Sequence, residues 1–524
     1  MKKAIDIAKV SAKGSIALSI GMMISNGIMA LGTFLIASFL PAQEYGLYAV
    51  TLVIPSLLGL FQDLGINSAI IKYTAQYRAE NKQSEIKRII KFGILFDTLL
   101  GASLAIIAYL LSGIIAINIF QRPRIKQLIE ITSIYIFAMA IVNATQSVFV
   151  GFERMEFQSL LNVIQSTLKG LLSPLLVLLG YGLLGAIVGI SISSGITAII
   201  GLSILIILFY RKIESAIGDD PKSFPKYVGF MLRYGLPVSA SMILTGFQTQ
   251  FFNFLMAVYC EDLLIANYQM AVNFTVLIGL LSTPIMTALF PAFSKLKFEM
   301  EKETLKSVFK FSVKYSSLIV IPVTAAIMAL SKPLVYTLFG EKFSYAPFYL
   351  TLLAINSLYV GIGSLSVPNL IMGQGRTDIT LKMTLLNLSV GIPLSLILIP
   401  SFGVIGLITT TLIATIPGLV AGLWWARRRF SISIDGRSGA KIYIASGIAG
   451  VIAYLITYPL TFPYWVILIF GGIVFLLVYF VLIIILKAID MNDLENIKAM
   501  LRDLGPLYTL LKVPFGLVER LLAF

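Results

Sequence analysis

The chain alternates between long apolar stretches and short polar breaks along nearly its whole length. A helix needs roughly 20 apolar residues to cross the hydrocarbon core of a membrane. Stretches of that kind recur fourteen times in this sequence. They are Ser15–Leu40, Gly46–Ile71, Ile89–Leu111, Ile129–Val150, Ser159–Leu179, Leu183–Phe209, Leu236–Tyr259, Tyr268–Phe293, Ser312–Leu330, Phe348–Met372, Met383–Ile399, Val404–Trp425, Ile442–Leu460 and Trp465–Leu486.

These stretches predict membrane-spanning helices rather than strands. Backbone polar groups in lipid have to be satisfied within the chain, which only helices and closed barrels achieve. The apolar runs are continuous, whereas the strands of a barrel alternate apolar and polar residues. Hydrophobic residues make up 58% of the 524 and charged residues only 12%, against about a quarter in soluble domains. We therefore expect an all-α integral membrane protein with about fourteen transmembrane helices.

The net charge of +15 is distributed unevenly between the two sides of this bundle. Connections between consecutive spans alternate between the sides, and the side that holds both termini carries 34 of the 40 Lys and Arg residues. Such an excess marks the cytoplasmic side of a membrane protein. We therefore expect a multi-pass protein of the cell membrane with both termini in the cytoplasm. The basic balance then reflects topology, and no nucleic-acid partner is expected.

Short segments of the first half of the apolar region recur in the second half at a nearly constant spacing. The segment YGLLGAI at 181–187 matches FGVIGLI at 402–408, and the turn GFERME at 151–156 matches GQGRTD at 373–378. Six spans per repeat is an even number, so both repeats enter the membrane from the same side, as parallel repeats. Two parallel lobes suit alternating access around a central site, which favours a transporter.

The repeat divides the chain into four predicted parts. A stripe of Leu and Ile at positions 494, 497, 501 and 504 opposes charged residues, which predicts an interfacial amphipathic helix after the last span. The parts are an N-lobe (1–225), a C-lobe (226–441), two extra C-terminal helices (442–486) and a cytoplasmic amphipathic tail (487–524).

Three motifs resemble those of one transporter superfamily. They are EYGLYAV at 44–50, DLGINSAIIKY at 63–73 and GFERMEF at 151–157. Over nearly its whole length the chain is similar to the polysaccharide (O-antigen type) flippases of the multidrug/oligosaccharidyl-lipid/polysaccharide exporter superfamily. This resemblance implies flipping of a polyprenyl- or dolichyl-linked oligosaccharide from the cytoplasmic to the outer leaflet, for polysaccharide or glycan biosynthesis. It also implies contact with membrane lipids and glycan-assembly enzymes, a monomeric state, and neither a cofactor nor a metal.

Lys169 is the sharpest candidate for binding the substrate headgroup. It lies within the fifth span, where a charge costs roughly 2.5–3.5 kcal/mol on insertion scales. A pyrophosphate-sugar headgroup is anionic, so a lysine in a central cavity could bind it. The alternative is a lysine that snorkels to the interface or pairs with a carboxylate for structural reasons.

Asp97 and Asp63 are carboxylates within apolar runs and are candidates for ion coupling or for the cavity wall. The chain contains no histidine, the usual proton carrier at neutral pH, so coupling would need such groups. For Asp63 the alternative is that DLGIN is simply the inner end of a helix.

Polar residues mark candidate cavity faces on the first, seventh and eighth spans. Interhelical hydrogen bonds are the alternative for all of them, because polar side chains also hold membrane helices together. The candidates are Asn26, Gln248, Gln250, Asn253, Gln269 and Asn273.

Two matched turns carry charge pairs, Arg154 with Glu156 and Arg376 with Asp378. We expect these pairs to lock the cytoplasmic corner of each lobe by ion pairing, with a gating role as the alternative.

Other functions remain open at this stage. A multidrug/cation antiporter of the same superfamily would want buried carboxylates in the seventh and eighth spans, where none occurs. A membrane glycosyltransferase or polymerase would need acidic residues on a sizeable loop, yet the outer loops are short. The GxxxxGK[ST] motif of P-loop ATPases is absent, and so is the basic Gly-Asp-Arg turn of the major facilitator transporters.

Overall fold

The computed structural model describes residues 2–213, 223–296 and 301–491, together with Asp493 and Glu495. Within these ranges the chain is helical and contains no strand, which confirms the all-α class. The predicted amphipathic helix of the tail lies outside the described residues, apart from Asp493 and Glu495. Asp493 forms an ion pair with Lys314 at 2.5 Å, and the exposed fractions of the two side chains are only 4% and 9%.

Sixteen α-helices make up the described part of the chain. Short π-helical or 3-10 segments extend several of them. The helices are α1 (Lys2–Phe39), α2 (Ala42–Gly59), α3 (Ile66–Ala79), α4 (Gln83–Gly113), α5 (Lys126–Gly151), α6 (Met155–Leu176), α7 (Gly182–Ile204), α8 (Ser223–Tyr259), α9 (Asp262–Lys295), α10 (Lys302–Ala329), α11 (Ser331–Phe339), α12 (Ala346–Leu358), α13 (Ser366–Gly373), α14 (Thr377–Phe430), α15 (Gly436–Thr457) and α16 (Tyr464–Ile485).

Nine of the described helical stretches are long and apolar enough to cross a membrane, or eleven when two bent pairs each count as one span. Two of the nine contain 58 and 54 residues, far more than a bilayer needs, and each covers two predicted spans. The second predicted span is divided into α2 and α3 by a break at residues 60–65. The number fourteen therefore stays a prediction.

Each of the two longest helical stretches contains a break at a glycine. Gly182 has φ 50° and ψ −135°, and Gly403 has φ 57° and ψ −131°. Residues with a Cβ rarely adopt this conformation, which glycine adopts readily. The two glycines occupy equivalent positions in the matched segments YGLLGAI and FGVIGLI, so the same turn is built twice.

The matched turns after α5 and α13 also share their backbone geometry. Arg154 has φ −108° and ψ 59°, and Arg376 has φ −98° and ψ 58°. Their amide N–H groups donate to the carbonyls of Phe149 and Ile371, at 2.9 and 3.0 Å. The two-residue gap between α1 and α2 likewise recurs between α8 and α9. These local geometries therefore recur at the matched positions, and the division into two six-span repeats stays a prediction.

The described residues form two compact units, each with its own apolar core. One comprises Met1–Gln269 and Ser395–Leu407, and the other Met270–Leu394 and Ile408–Phe524. The two units are defined by contacts between residues and not by the internal repeat. They therefore do not test the predicted lobe boundaries, which stay predictions. Ile70, Ile89 and Phe149 are fully buried in the first unit, as are Phe309 and Leu370 in the second.

Large apolar side chains also cover much of the outside of the helices. On α16, Leu476 is 64% exposed, Leu477 63% and Ile485 67%. Water disfavours an apolar surface of this extent, whereas lipid tails do not. The protein is therefore a multi-pass membrane protein.

A change of Gly182 to Ala should destabilise the fold by roughly 1–3 kcal/mol, because alanine is strained at this backbone conformation. Gly195, in the same helix, is the matched control. It has ordinary helical geometry and open space around its Cα, so Gly195→Ala should be neutral or stabilising by about 0.5–1 kcal/mol. Melting temperatures of the purified variants in one detergent measure both effects. Equal melting temperatures would contradict the assignment of strain to Gly182.

Candidate functional site

Lys169 lies on α6 beside the point where α6 crosses α1. A methyl group placed on Gly32 of α1 would stand 2.6 Å from the Cα of Gly170, so the two backbones touch there. The Lys169 side chain is half-buried. Among the described residues its ammonium has no hydrogen bond and no ion pair. The alternative role of Lys169 was to pair with a carboxylate for structural reasons. No such carboxylate partner is found in the described part of the chain.

The predicted polar cavity residues lie on three helices. Asn26 is exposed on α1, whereas the other five are partly exposed. The Asn253 side-chain amide donates to Gln250 Oε1 at 3.5 Å, one helical turn away on α8. Gln269 and Asn273 on α9 interact with other described residues. That all six line one cavity, with Gln248 among them, stays a prediction.

The two carboxylate candidates lie in the first unit, at and beside the break between α2 and α3. Asp63 is within the break, and its Oδ1 accepts the backbone N–H of Asn67 at 2.7 Å, which satisfies one of the free amides at the start of α3. Asp97 on α4 is only 1% exposed. Neither of its carboxyl oxygens has a hydrogen-bond partner among the described residues.

Helix α8 rests directly on this break. A methyl group on Gly65 would overlap the Gly235 carbonyl, and one on Gly235 would overlap the Gly65 carbonyl. Gly65 also has a left-handed φ of 86°, so glycine is required there by conformation as well as by space. The backbone at the break and the backbone of α8 are thus so close that neither glycine has room for a side chain.

The two charged turns contain the ion pairs that the sequence predicts. Arg154 pairs with Glu156, and Arg376 pairs with Asp378 through two hydrogen bonds of 2.9 and 3.0 Å. The Arg376 guanidinium also lies 5.0 Å from the centre of the Trp425 ring. All four charged side chains are about half exposed. Exposed pairs contribute only about 0–1 kcal/mol, so these pairs can orient the turns but stabilise them little.

Arg122 forms a clamp that sequence reasoning missed. From the turn between α4 and α5 its Nε donates to Asp262 Oδ1 at 2.5 Å. Its other nitrogens donate to the carbonyls of Ala257 at 2.5 Å, Cys260 at 2.6 Å and Phe120 at 2.9 Å. Three of these acceptors are backbone carbonyl oxygens, and most of the acceptors belong to a part of the sequence that is distant from Arg122. A local sequence motif therefore cannot predict them. The one available signal in the sequence was that Arg122 belongs to the few basic residues predicted for the side opposite the termini.

The fold resembles those of solved membrane proteins. Its solved structural neighbours include the lipid II flippase MurJ in an inward closed conformation, with a TM-score of 0.71 and 19% identity, over 89% of this chain and 98% of that one. An inward-facing multidrug resistance MATE family transporter of the MOP superfamily gives a TM-score of 0.62 and 18% identity, over 80% and 98%.

Sequence comparison gives the family. The family model described as "Polysaccharide biosynthesis protein" matches residues 11–297, more than half of the chain, and a model described as "Lipid II flippase MurJ" matches residues 237–481. The chain belongs to the polysaccharide biosynthesis protein family.

Relatives are found in archaea and bacteria. The uncharacterized membrane protein MJ1068 of Methanocaldococcus jannaschii is 23% identical over 88% of this chain and 93% of its own. The lipopolysaccharide biosynthesis protein WzxC of Escherichia coli K12 is 25% identical over 72% of each chain. A shorter match, 28% identical over 28% of this chain and 31% of the relative, is the probable low-salt glycan biosynthesis flippase Agl15 of Haloferax volcanii.

Replacing Arg122 with Gln should open the end of α8 and expose Cys260, which is the single cysteine and is 5% exposed. A hydrogen bond from a charged group contributes about 1.5–3 kcal/mol, and about 1.4 kcal/mol is a factor of ten, so we expect labelling by a maleimide to become at least roughly tenfold faster. Arg124→Gln removes the same charge from an exposed residue of the same turn and should leave the rate unchanged. Equal rates for the two variants would refute the clamp.

Proposed function

We propose that this protein flips a lipid-linked oligosaccharide from the cytoplasmic to the outer leaflet of the cell membrane by alternating access, for polysaccharide or glycan biosynthesis. The observation that carries the proposal is membership of the polysaccharide biosynthesis protein family, together with a transporter fold. The names of WzxC and Agl15 support the same substrate class.

Lys169 is the proposed contact for the phosphate or pyrophosphate of the substrate. A half-buried ammonium without a partner among the described residues would bind an anionic ligand favourably, because the ligand would supply the missing hydrogen-bond acceptors. Export of an anion from a negative interior is also favourable, by about 2.3 kcal/mol per charge for each 100 mV. The polar residues on α1, α8 and α9 are proposed to contact the sugar.

An apolar groove in the second unit is the proposed path for the lipid tail. It has a volume of about 360 Å³ and lies along α10 and α15. Its lining includes Ala325, Met328, Gly447 and Val451, and most of the remaining side chains are apolar as well. A polyprenyl chain fits such a surface, because it exchanges one hydrocarbon environment for another.

The remaining assignments follow from the proposed flipping by alternating access. The charge pairs Arg154–Glu156 and Arg376–Asp378 would stiffen the corners of two lobes at 1–225 and 226–441, with both termini in the cytoplasm. The substrate would move without bond making or breaking, through a monomer that works beside glycan-assembly enzymes. Drug export remains the second candidate, because the MATE transporter shares the fold at a TM-score of 0.62.

Flipping of a fluorescent lipid-linked oligosaccharide in proteoliposomes tests the proposal. The parent protein should flip the substrate, and Lys169→Gln should reduce the rate by roughly tenfold or more, the value of one charge-assisted hydrogen bond. Lys126→Gln removes an exposed lysine of α5 and should keep the parent rate. No flipping by the parent, together with export of cationic drugs, would replace the flippase with the antiporter.

The groove can be blocked without disturbing the helices around it. A Cβ on Gly447 meets no atom within 4 Å, so Gly447→Leu should fill the groove and slow the flipping of substrates with long polyprenyl tails. Gly472→Leu on α16 points into equally open space away from the groove and should not slow flipping. Equal rates for the two variants, with either a long or a short tail, would exclude this groove as the tail path.

A further inference from the structure

The turn between α14 and α15 carries four arginines. Arg427, Arg428 and Arg429 follow one another in the last turn of α14, and Arg437 lies at the start of α15. All four are exposed, and none of them forms an ion pair with a residue that the structure describes. Like charges that are close in the chain repel one another, so an anionic partner at this turn would be bound favourably.

The acidic residue of this turn does not balance the arginines. Asp435 is the one carboxylate at positions 427–437. It accepts the backbone N–H of Ser438 at 3.1 Å, which caps α15, and it lies 3.5 Å from Lys310 Nζ. On α10, by contrast, Lys306 has its own partner, Glu303, at 2.7 Å. The positive charge of the turn is therefore left over after the pairing within the described part of the second unit.

Arg428 also continues the lipid-facing side of α14. Ile413, Ile416, Val420 and Trp424 are spaced three or four residues apart and are 38–55% exposed, so they form one apolar face of a helix that is long enough to cross a membrane. Arg428 follows Trp424 by four residues, on the same face and about 6 Å farther along the helix axis. Its guanidinium carbon lies 4.3 Å from the centre of the Trp424 ring. The face thus passes from apolar side chains through an indole to a cation, in the order of the layers at a membrane surface.

Buried neighbours hold the backbone of the turn in place. Phe430 and Ile432 are buried in the apolar core of the second unit. Ser431 lies between them in a left-handed conformation, and its N–H donates to the Arg427 carbonyl at 2.9 Å. The exposed arginines are therefore attached to a fixed backbone, and a ligand would have to order little more than their side chains.

We propose that Trp424 and Arg428 bind an anionic phospholipid at the membrane surface, and that Arg427, Arg429 and Arg437 strengthen the binding by their charge. The indole lies at the boundary between acyl chains and headgroups, and the planar guanidinium donates two hydrogen bonds to the phosphate. The tail of the chain is a poorer occupant, because positions 496–524 carry four basic and only two acidic side chains. The site does not depend on the proposed flipping.

Tryptophan fluorescence of the protein in lipid nanodiscs tests the site, because Trp424 is itself a reporter. The chain has three tryptophans, and Trp465→Phe removes the other strongly exposed one. In this background, phosphatidylglycerol with brominated acyl chains should quench at a mole fraction at least roughly fivefold lower than brominated phosphatidylcholine. Both leaflets contain the lipid, so the orientation of the protein does not matter. Equal quenching by the two lipids would overturn the proposal.

Arg428→Gln should reduce this preference by roughly fivefold, the effect of one arginine at an anionic membrane surface. Lys306→Gln removes a charge that Glu303 balances in the same unit and should keep the full preference. An unchanged preference in Arg428→Gln would refute the site. Brominated phosphatidylcholine should quench the parent and the variants alike, since Trp424 faces lipid in all of them, and its failure to quench the parent would contradict that placement.

Two comparisons separate a phospholipid site from general attraction of charge and from a site for free phosphate. Arg428→Lys keeps the charge but not the planar fork, so it should keep only part of the preference. Full preference in Arg428→Lys would overturn the guanidinium contact. Inorganic phosphate that replaces chloride at constant ionic strength should leave the preference intact. Its complete loss would identify a soluble phosphate, and not a lipid, as the ligand.

Discussion

A backbone surrounded by hydrocarbon has to pair its own N–H and C=O groups, and this constraint governs the rest of the structure. Continuous helix is the simplest way to meet it, and all the regular elements of the described chain are helices. Each break in a helix then has to occur where the backbone conformation costs little free energy and where the unpaired N–H and C=O groups find hydrogen-bond partners. Gly182 and Gly403 supply the conformation, and Asp63 supplies the partner where α3 begins.

Hydrocarbon also raises the free energy of a buried charge. The buried charged groups fall into two kinds, those that have an ion-pair partner within the fold and those that have none among the described residues. Arg122 and Lys314 each have a carboxylate partner at 2.5 Å. Such pairs are satisfied without any further group. Lys169 and Asp97 are different, because neither has a partner among the described residues. Groups of the first kind explain why turns and chain segments stay in place, and Lys169, a group of the second kind, is the one that we propose contacts the substrate.

Local features were predictable from the sequence, and long-range ones were not. The paired turns at Arg154 and Arg376, and the glycines at 182 and 403, depend on residues within a few positions of one another, so an internal comparison finds them. The break before α3 was only partly predictable, because DLGIN can end a helix, whereas the contact of Gly65 with Gly235 of α8 joins residues that are remote in the sequence. The Arg122 clamp was hidden for the same reason, since its acceptors are mostly backbone carbonyls of a distant segment.

The fold alone does not decide the substrate, because one scaffold serves both the lipid II flippase and the multidrug transporter that it resembles. The charges near the candidate site do distinguish them. Helices α8 and α9 carry one acidic residue between them, Asp262, and that residue is engaged by Arg122. A cationic drug would therefore meet no free carboxylate on these two helices and would be repelled by Lys169. If Lys169 contacts the substrate as proposed, an anionic headgroup would meet an ammonium that has no partner among the described residues, so this residue favours a phosphorylated lipid over a cationic drug.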